Sequence, residues 1–296
     1  MSGGPAFGTR TPGALETIES SAQARPGRRS GGRRLNSGKI VSWIIFLAGM
    51  FYFFLPLLVT FLFSLRLQPT GQAYANVLFH DPRFASSLIY SLFIGLITIV
   101  ISILLLVPTA YWVRLRVPRL RPYVEFITLL PFVIPPIILV FALTRAFAGP
   151  PFPLTATSEG LNILVVAAYV ILSFPYMYRS IDSGLQAIDI RTLTEAAQSM
   201  GAGWGRILWA VILPNLRVAL LSGAFLTLAI VIGEYTLASF LVRPAFGPYL
   251  ALLGRDKAFE PAAVTIIAFG LTWLAMGVIA FIGRGSRGSV PLTGGR

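Results

Sequence analysis

The sequence predicts an all-α, polytopic membrane protein with six transmembrane helices and both termini on the cytoplasmic side. Three observations predict it. The 296 residues are 55% hydrophobic and 12% charged, with a mean hydropathy of +0.77; a soluble domain of that length needs far more polar surface. Six apolar stretches alternate with turn-rich loops, and each stretch is long enough for a hydrocarbon core about 30 Å thick. Eighteen of the 24 Lys and Arg fall in segments that six crossings put on the side of the termini, and six fall on the other side. The positive-inside rule makes the basic side cytoplasmic.

In chain order, residues 1–39 are rich in Gly, Pro, Ser and Arg without apolar periodicity, which predicts a disordered cytoplasmic tail. The basic run Arg28, Arg29, Arg33, Arg34 and Lys39 fixes orientation and offers a weak anchor for anionic lipid head groups. The first span, Ile40 to Ser64, is too long for a signal-peptide core and has no A-x-A pattern after it, so it is read as a retained helix. Arg66 through Gly71, Asp81 and Pro82 form a turn-rich connector, with His80 as a loop residue. The second span is expected from Ala85 to Trp112, followed by a loop with Arg114, Arg116, Arg119 and Arg121. The third, Tyr123 to Phe147, contains Pro131, Pro135 and Pro136, which kink a helix and leave carbonyls for neighbours to cover. Gly149 to Glu159 is a loop; the fourth span is Leu161 to Tyr178 and the fifth Asn215 to Leu241, with residues 180–214 between them. A mixed loop with Arg243, Pro244, Gly247, Pro248, Asp256 and Lys257 leads to the sixth span, Pro261 to Ile282. Residues 40–283 are thus one membrane domain, and 284–296 a short cytoplasmic tail.

Several classes of function fall away. With no cysteine there is no disulfide, thiol catalysis or Cys-based metal site, and His80 alone cannot build a His-rich one. The net charge of +13 is explained by topology, because the basic residues lie between apolar segments and not on one polar face; nucleic acid is not an expected partner. Missing Cys, a single His and unpaired acids also leave an intramembrane enzyme without its inventory.

The stretch Thr192 to Pro214, TLTEAAQSMGAGWGRILWAVILP, is unlike the spans around it. Thr192 and Glu195 fit a capping box. Glu195-Ala196-Ala197 supplies helix formers and a small-residue face, and Gly201 and Gly203 break the helix after about two turns. A second short helix with Ile207, Leu208 and Val211 then runs to Leu213-Pro214, the expected entry to the fifth span. The expected object is a helix–turn–helix bracket lying along the membrane surface.

Glu195-Ala196-Ala197, Gly201 four residues on, and Val211-Ile212-Leu213-Pro214 after nine more resemble the EAA signature of ABC importer permeases. Val211 stands where that family usually has Ile. The resemblance covers about residues 40–283 and implies the type I importer permease fold. It also implies that the bracket couples to a separate ATPase subunit through Glu195, Ala196, Ala197, Gly201, Leu213 and Pro214. Its further implications are a second permease, homologous or identical, around a shared pathway, and alternating access driven by ATP and Mg on the ATPase partner. This chain is then expected to bind no cofactor and to catalyse nothing. GEYTLASFL and RDKAFEPAAVTI look most like permeases for polyamines and their iron, thiamine and phosphonate relatives. The implied setting is a bacterial plasma membrane.

The residues alone agree on the energy source: no G-x-x-x-x-G-K-[ST] stretch occurs, so ATP would be bound by another polypeptide. Glu234 lies inside the predicted fifth span, where a carboxylate must face protein or water. It either lines a substrate pathway with Gly233, Tyr235 and Ser239, favouring a cationic solute, or is a structural carboxylate at the outer interface or a subunit contact. Glu125 beside Arg121 reads as a structural ion pair. Gly95, Gly223, Gly233, Gly270 and Gly277 read as close-packing positions. The outer connectors are too short to fold a binding domain, so selectivity is assigned to a separate extracytoplasmic binding protein. The rival readings are an ion-gradient-driven secondary transporter, which predicts paired repeats and several buried acids, and a non-transporting scaffold.

Overall fold

A Pro-Pro pair breaks one apolar stretch, whereas the single interior prolines Pro56, Pro108 and Pro175 each leave theirs as one helix. In the computed structural model, which describes residues 3–4 and 37–284, all six stretches are helical, and no strand occurs among the described residues. The chain divides into two units, Met1–Phe54 and Leu55–Arg296. Helix α1 (Ser37–Ser64) begins inside the stretch read as tail. In the first unit it carries an edge-on ring pair, Trp43 with Phe46 at 5.8 Å. The rest of the predicted tails, residues 1–2, 5–36 and 285–296, lies outside the described residues.

In the second unit the connector after α1 is partly helical: α2 (Gln72–Ala75) runs into a π-helical turn, Asn76–His80. His80 therefore ends a helix and does not sit in a loop, its Nδ1 3.2 Å from the Ala75 carbonyl. Helix α3 (Pro82–Arg116) is capped by Asp81, whose carboxylate accepts from the Arg83 N–H. At 35 residues it is, among the described residues, one of three helices long and apolar enough to span a bilayer unaided, with α1 and α6 (Ser158–Gln186).

The predicted third span is two helices, α4 (Arg121–Val133) and α5 (Pro136–Ala146), meeting at 100°. Pro135-Pro136 breaks the helix outright, because two rings in succession remove two N–H donors. The predicted fifth span is also broken. Helix α10 (Arg217–Gly233) stops at Glu234, and α11 (Thr236–Phe240) is a separate short helix. The mixed loop beyond it contains α12 (Phe246–Asp256), and α13 (Glu260–Arg284) closes the described chain.

Helices α3, α6 and α10 pack on one another and form the frame. Two of the predicted packing glycines serve it: a Cβ at Gly95 would meet Leu228 Cδ1 at 2.8 Å, and one at Gly223 would meet Met177 Sδ at 2.7 Å. Gly233, Gly270 and Gly277 face open space instead. A second apolar cluster joins α3 to α12 through Phe84, Phe246 and Tyr249. Where α3, α4 and α6 meet, Asp182 accepts from Arg114 (3.2 Å), Arg121 (2.9 Å) and Gln186 (2.6 Å). Arg121 also holds Glu125 at 2.9 Å, so the expected ion pair is part of a larger network.

Candidate functional site

Between α6 and α10 the chain forms the bracket. Its first arm is α7 (Ile190–Ser199). The second starts as α8 (Trp204–Arg206), passes through a π-helical stretch Ile207–Ile212, and ends as α9 (Leu213–Asn215). It meets α10 at 77°.

The first arm starts earlier than the capping box predicts. Asp189 is the cap, accepting from the Thr192 N–H (3.2 Å) and the Thr192 hydroxyl (2.7 Å). These two bonds hold the exposed Asp189 carboxyl below its ordinary value of 3.8, the hydroxyl first. Thr192 is therefore inside the helix, and Glu195 pairs with Arg191 at 2.9 Å instead of closing a box. The turn forms as expected. Gly201 takes a left-handed φ of 80°, its N–H bonds to the Gln198 carbonyl (2.9 Å), and the Ala202 N–H to the Ala197 carbonyl (3.0 Å). That is the Schellman pattern, in which the first residue past the cap needs glycine's freedom.

Ile190, Thr194 and Ala197 form the buried face of the first arm. They pack with Ile207 and Ile212 of the second onto Tyr111 and Ala110 of α3 and Met177 and Ile181 of α6. Glu195, Ala196, Met200 and Gly201 face outward, with Met200 81% exposed. The EAA triplet is thus split: Glu195 and Ala196 are presented, while Ala197, at 2% exposure, seats the arm. Leu213 is half-buried and Pro214 exposed, at the end of the second arm rather than inside a span.

The four predicted pathway residues sit at the break in the fifth span. Glu234 is extended, and its carboxylate accepts from the N–H groups of Leu237 (2.9 Å) and Ala238 (3.2 Å) and from the Tyr169 hydroxyl (3.4 Å). It supplies the two donors at the start of α11 with an acceptor, so the structural reading describes what its carboxylate does. Gly233 and Tyr235 are exposed beside it; Ser239 is half-buried with its hydroxyl oxygen unpaired. The break is held by Gly247, where a Cβ would run into the Glu234 carbonyl. Arg243 then ties the end of α11 to α6, donating to Ser158 and to Asn162.

Sequence reasoning missed a groove between α4, α6 and α10. It has a volume of about 730 Å³ and brings Tyr176, Arg179, Ser183, Asn215 and Ser222 together on otherwise apolar walls. The signal was present as polar residues at helical spacing, Tyr176, Arg179 and Ser183, which run past the predicted end of the fourth span at Tyr178 because α6 continues to Gln186. None of the four predicted pathway residues lines it.

Apolar helices hinged in mid-course, with a presented helix–turn–helix between two of them, describe a multi-pass membrane protein. The chain belongs to the family described as binding-protein-dependent transport system inner membrane component, which matches residues 106–286. It is 30% identical over 145 residues to the molybdenum transport system permease protein ModB of Azotobacter vinelandii, covering 45% of this chain. It is 27% identical over 184 residues to the spermidine/putrescine transport system permease protein PotB of Haemophilus influenzae, covering 58% of this chain. Each match spans 63% of the relative's own length. In fold, the chain resembles a subunit of a bacterial ABC transporter involved in the import of alginate. The TM-score is 0.61 at 15% identity, over 85% of this chain and 96% of that one. Family and fold both agree with the resemblance carried by the EAA stretch, and the secondary-transporter reading is set aside.

Proposed function

We propose that this chain is the permease subunit of an ATP-driven importer. In this reading it works by alternating access with a second permease, homologous or identical, and takes a small solute from an extracytoplasmic binding protein. Two ATPase subunits hold the ATP and Mg and dock on the bracket. The complex sits in a bacterial plasma membrane with the bracket in the cytoplasm, the orientation favoured by the eighteen-to-six division of Lys and Arg. The observation that carries the proposal is the split face of the first arm. Ala197 is seated on the spans, while Glu195, Ala196, Met200 and Gly201 are exposed at a turn among the described residues. A short helix with an exposed apolar tip suits insertion into a groove on a partner.

The test is to purify the complex with its ATPase and compare Glu195→Arg and Gly201→Asp with the parent. Reversing a charge at a docking contact that contributes about 1.4 kcal/mol weakens association about tenfold. We expect release of the ATPase, or loss of transport-linked hydrolysis, while the permease still inserts. Unchanged association and hydrolysis in both variants would refute the assignment.

For the solute, the GEYTLASFL pattern favours a polyamine or other cation. A second reading, an anion, is favoured by Arg179, the charged residue in the groove between α4, α6 and α10, a candidate pathway because polar side chains on membrane helices face protein or water. Uptake into vesicles carrying the whole complex separates the two: spermidine competes in the first case, molybdate in the second.

A further inference from the structure

The bracket is joined through the chain to α6 and α10, yet its tightest polar and aromatic contacts go to α3. On the first arm, Thr194 gives its own proton to the Ile190 carbonyl (2.6 Å), so the Tyr111 hydroxyl 2.9 Å away is the donor between them. Tyr111 and Thr194 are each only 2% exposed. On the second arm, the Trp204 ring stands edge-on to Trp112 at 5.5 Å and to Tyr111 at 6.4 Å. The Arg116 guanidinium covers both indoles, 4.8 Å from Trp204 and 5.8 Å from Trp112. Among the described residues no carboxylate pairs with Arg116, so its charge is spent on the rings. Each arm is therefore pinned separately to the same last turns of α3, and two pins at different points on one body suppress rotation as well as translation.

The far end of α3 is fastened just as firmly. Ser91 Oγ accepts from the Phe246 N–H at the start of α12 (2.8 Å), and the α3 cap Asp81 accepts from the Tyr249 hydroxyl (3.2 Å). The 35 residues between the two ends correspond to about 52 Å of helix. Helix α12 is also the element whose Gly247 wedges the break at Glu234.

We propose that α3 is the rod that carries displacement of the bracket to the α11–α12 hairpin. In this role Tyr111, Trp112, Arg116 and Trp204 are positioning residues. The inference rests on the proposed function, since an ATPase must move the bracket. It predicts that the hairpin responds to a nucleotide bound to the partner at the opposite end of the molecule, and that the response is lost when the pins are cut.

This chain has no cysteine, so Val242→Cys gives one label per copy of it, at the turn between α11 and α12, at a position 77% exposed. In the complex with its ATPase, in lipid discs, the rate of modification by a polar maleimide is compared without nucleotide and with ATP trapped by vanadate. We expect a several-fold change in the parent. Trp204→Ala or Arg116→Gln should flatten it while the ATPase remains bound and hydrolysing, and Trp204→Phe and Arg116→Lys should restore it. A fold defect alone would not be repaired by both conservative changes. A full nucleotide response in Trp204→Ala with the ATPase bound overturns the rod and leaves the proposed function standing. So does a parent whose ATPase turns over with no response at Val242→Cys. A parent that captures no ATPase overturns both.

Discussion

Asp189 decides where the bracket begins, and its chemistry gives a pH signature. The two hydrogen bonds from Thr192 favour the ionised form, so the folded-state value lies below the ordinary 3.8. A depressed carboxyl contributes stability that is present above its unfolded value and is lost as the pH falls through the folded one. The first turn of α7 should therefore fray only below about pH 3.8. Amide exchange of residues 190–193 at decreasing pH reads this directly; Asp189→Asn should remove the pH dependence while keeping an acceptor, and Asp189→Ala should fray the turn at every pH. The capping-box pattern points to Thr192 with Glu195 and not to Asp189, three residues earlier. In the structure Asp189 caps the helix, and the Glu195 carboxylate pairs with Arg191, one turn before it. Glu234 is the other residue whose removal has a definite cost. Glu234→Ala strands the N–H groups of Leu237 and Ala238 and the Tyr169 hydroxyl. At about 1–3 kcal/mol for a buried donor left unmade, thermal unfolding in detergent should shift down by several degrees.

Among the elements, the broken spans were unequally legible. Pro135-Pro136 announces the break between α4 and α5, whereas nothing comparable marks Glu234. There the helix stops because a side chain caps the next helix in place of the backbone ladder, and α12 closes on the gap through Gly247. Gly247→Ala should force the two apart, with an overpacking cost of about 1–3 kcal/mol and faster amide exchange in residues 234–241. Unchanged exchange would mean the gap accommodates a methyl. Helix α12 itself carried a readable signal. Phe246, Tyr249 and Leu253 recur at helical spacing and are its buried residues, but Gly247-Pro248 reads as a turn. Pro248 lies in the first turn of the helix, where its missing N–H has no partner to lose.

At the scale of the molecule, composition was enough for class, because it is a sum over many residues; the charge division is a sum of the same kind, and the orientation it predicts is open to direct test. The pairing of Tyr111 with Thr194, 83 positions apart, and the gathering of Trp112 and Arg116 around Trp204 depend on how three spans pack, which a single sequence does not encode in any local pattern. The groove beside Arg179 is the intermediate case: its polar spacing is visible in α6, but its opposite wall, from α10, is not. Orientation can be checked with single cysteines at two exposed apolar positions, Met200 and Phe79, each 81% exposed. In sealed cells a membrane-impermeant maleimide should label Phe79→Cys and spare Met200→Cys, with the reverse in inside-out vesicles; the opposite result would invert the topology.

The π-helical stretch Ile207–Ile212 gives the second arm an unusual tolerance of length. A π turn holds more residues than an α turn and stands as one residue inserted into an ordinary helix. Removing one residue there lets the arm rewind as α-helix, with Leu213-Pro214 still delivered to the head of α10. The same deletion within α10 would turn everything beyond it by about 100° and swing Glu234 away from α11. Length variation in this protein should therefore be absorbed on the bracket and be lethal in the span it feeds.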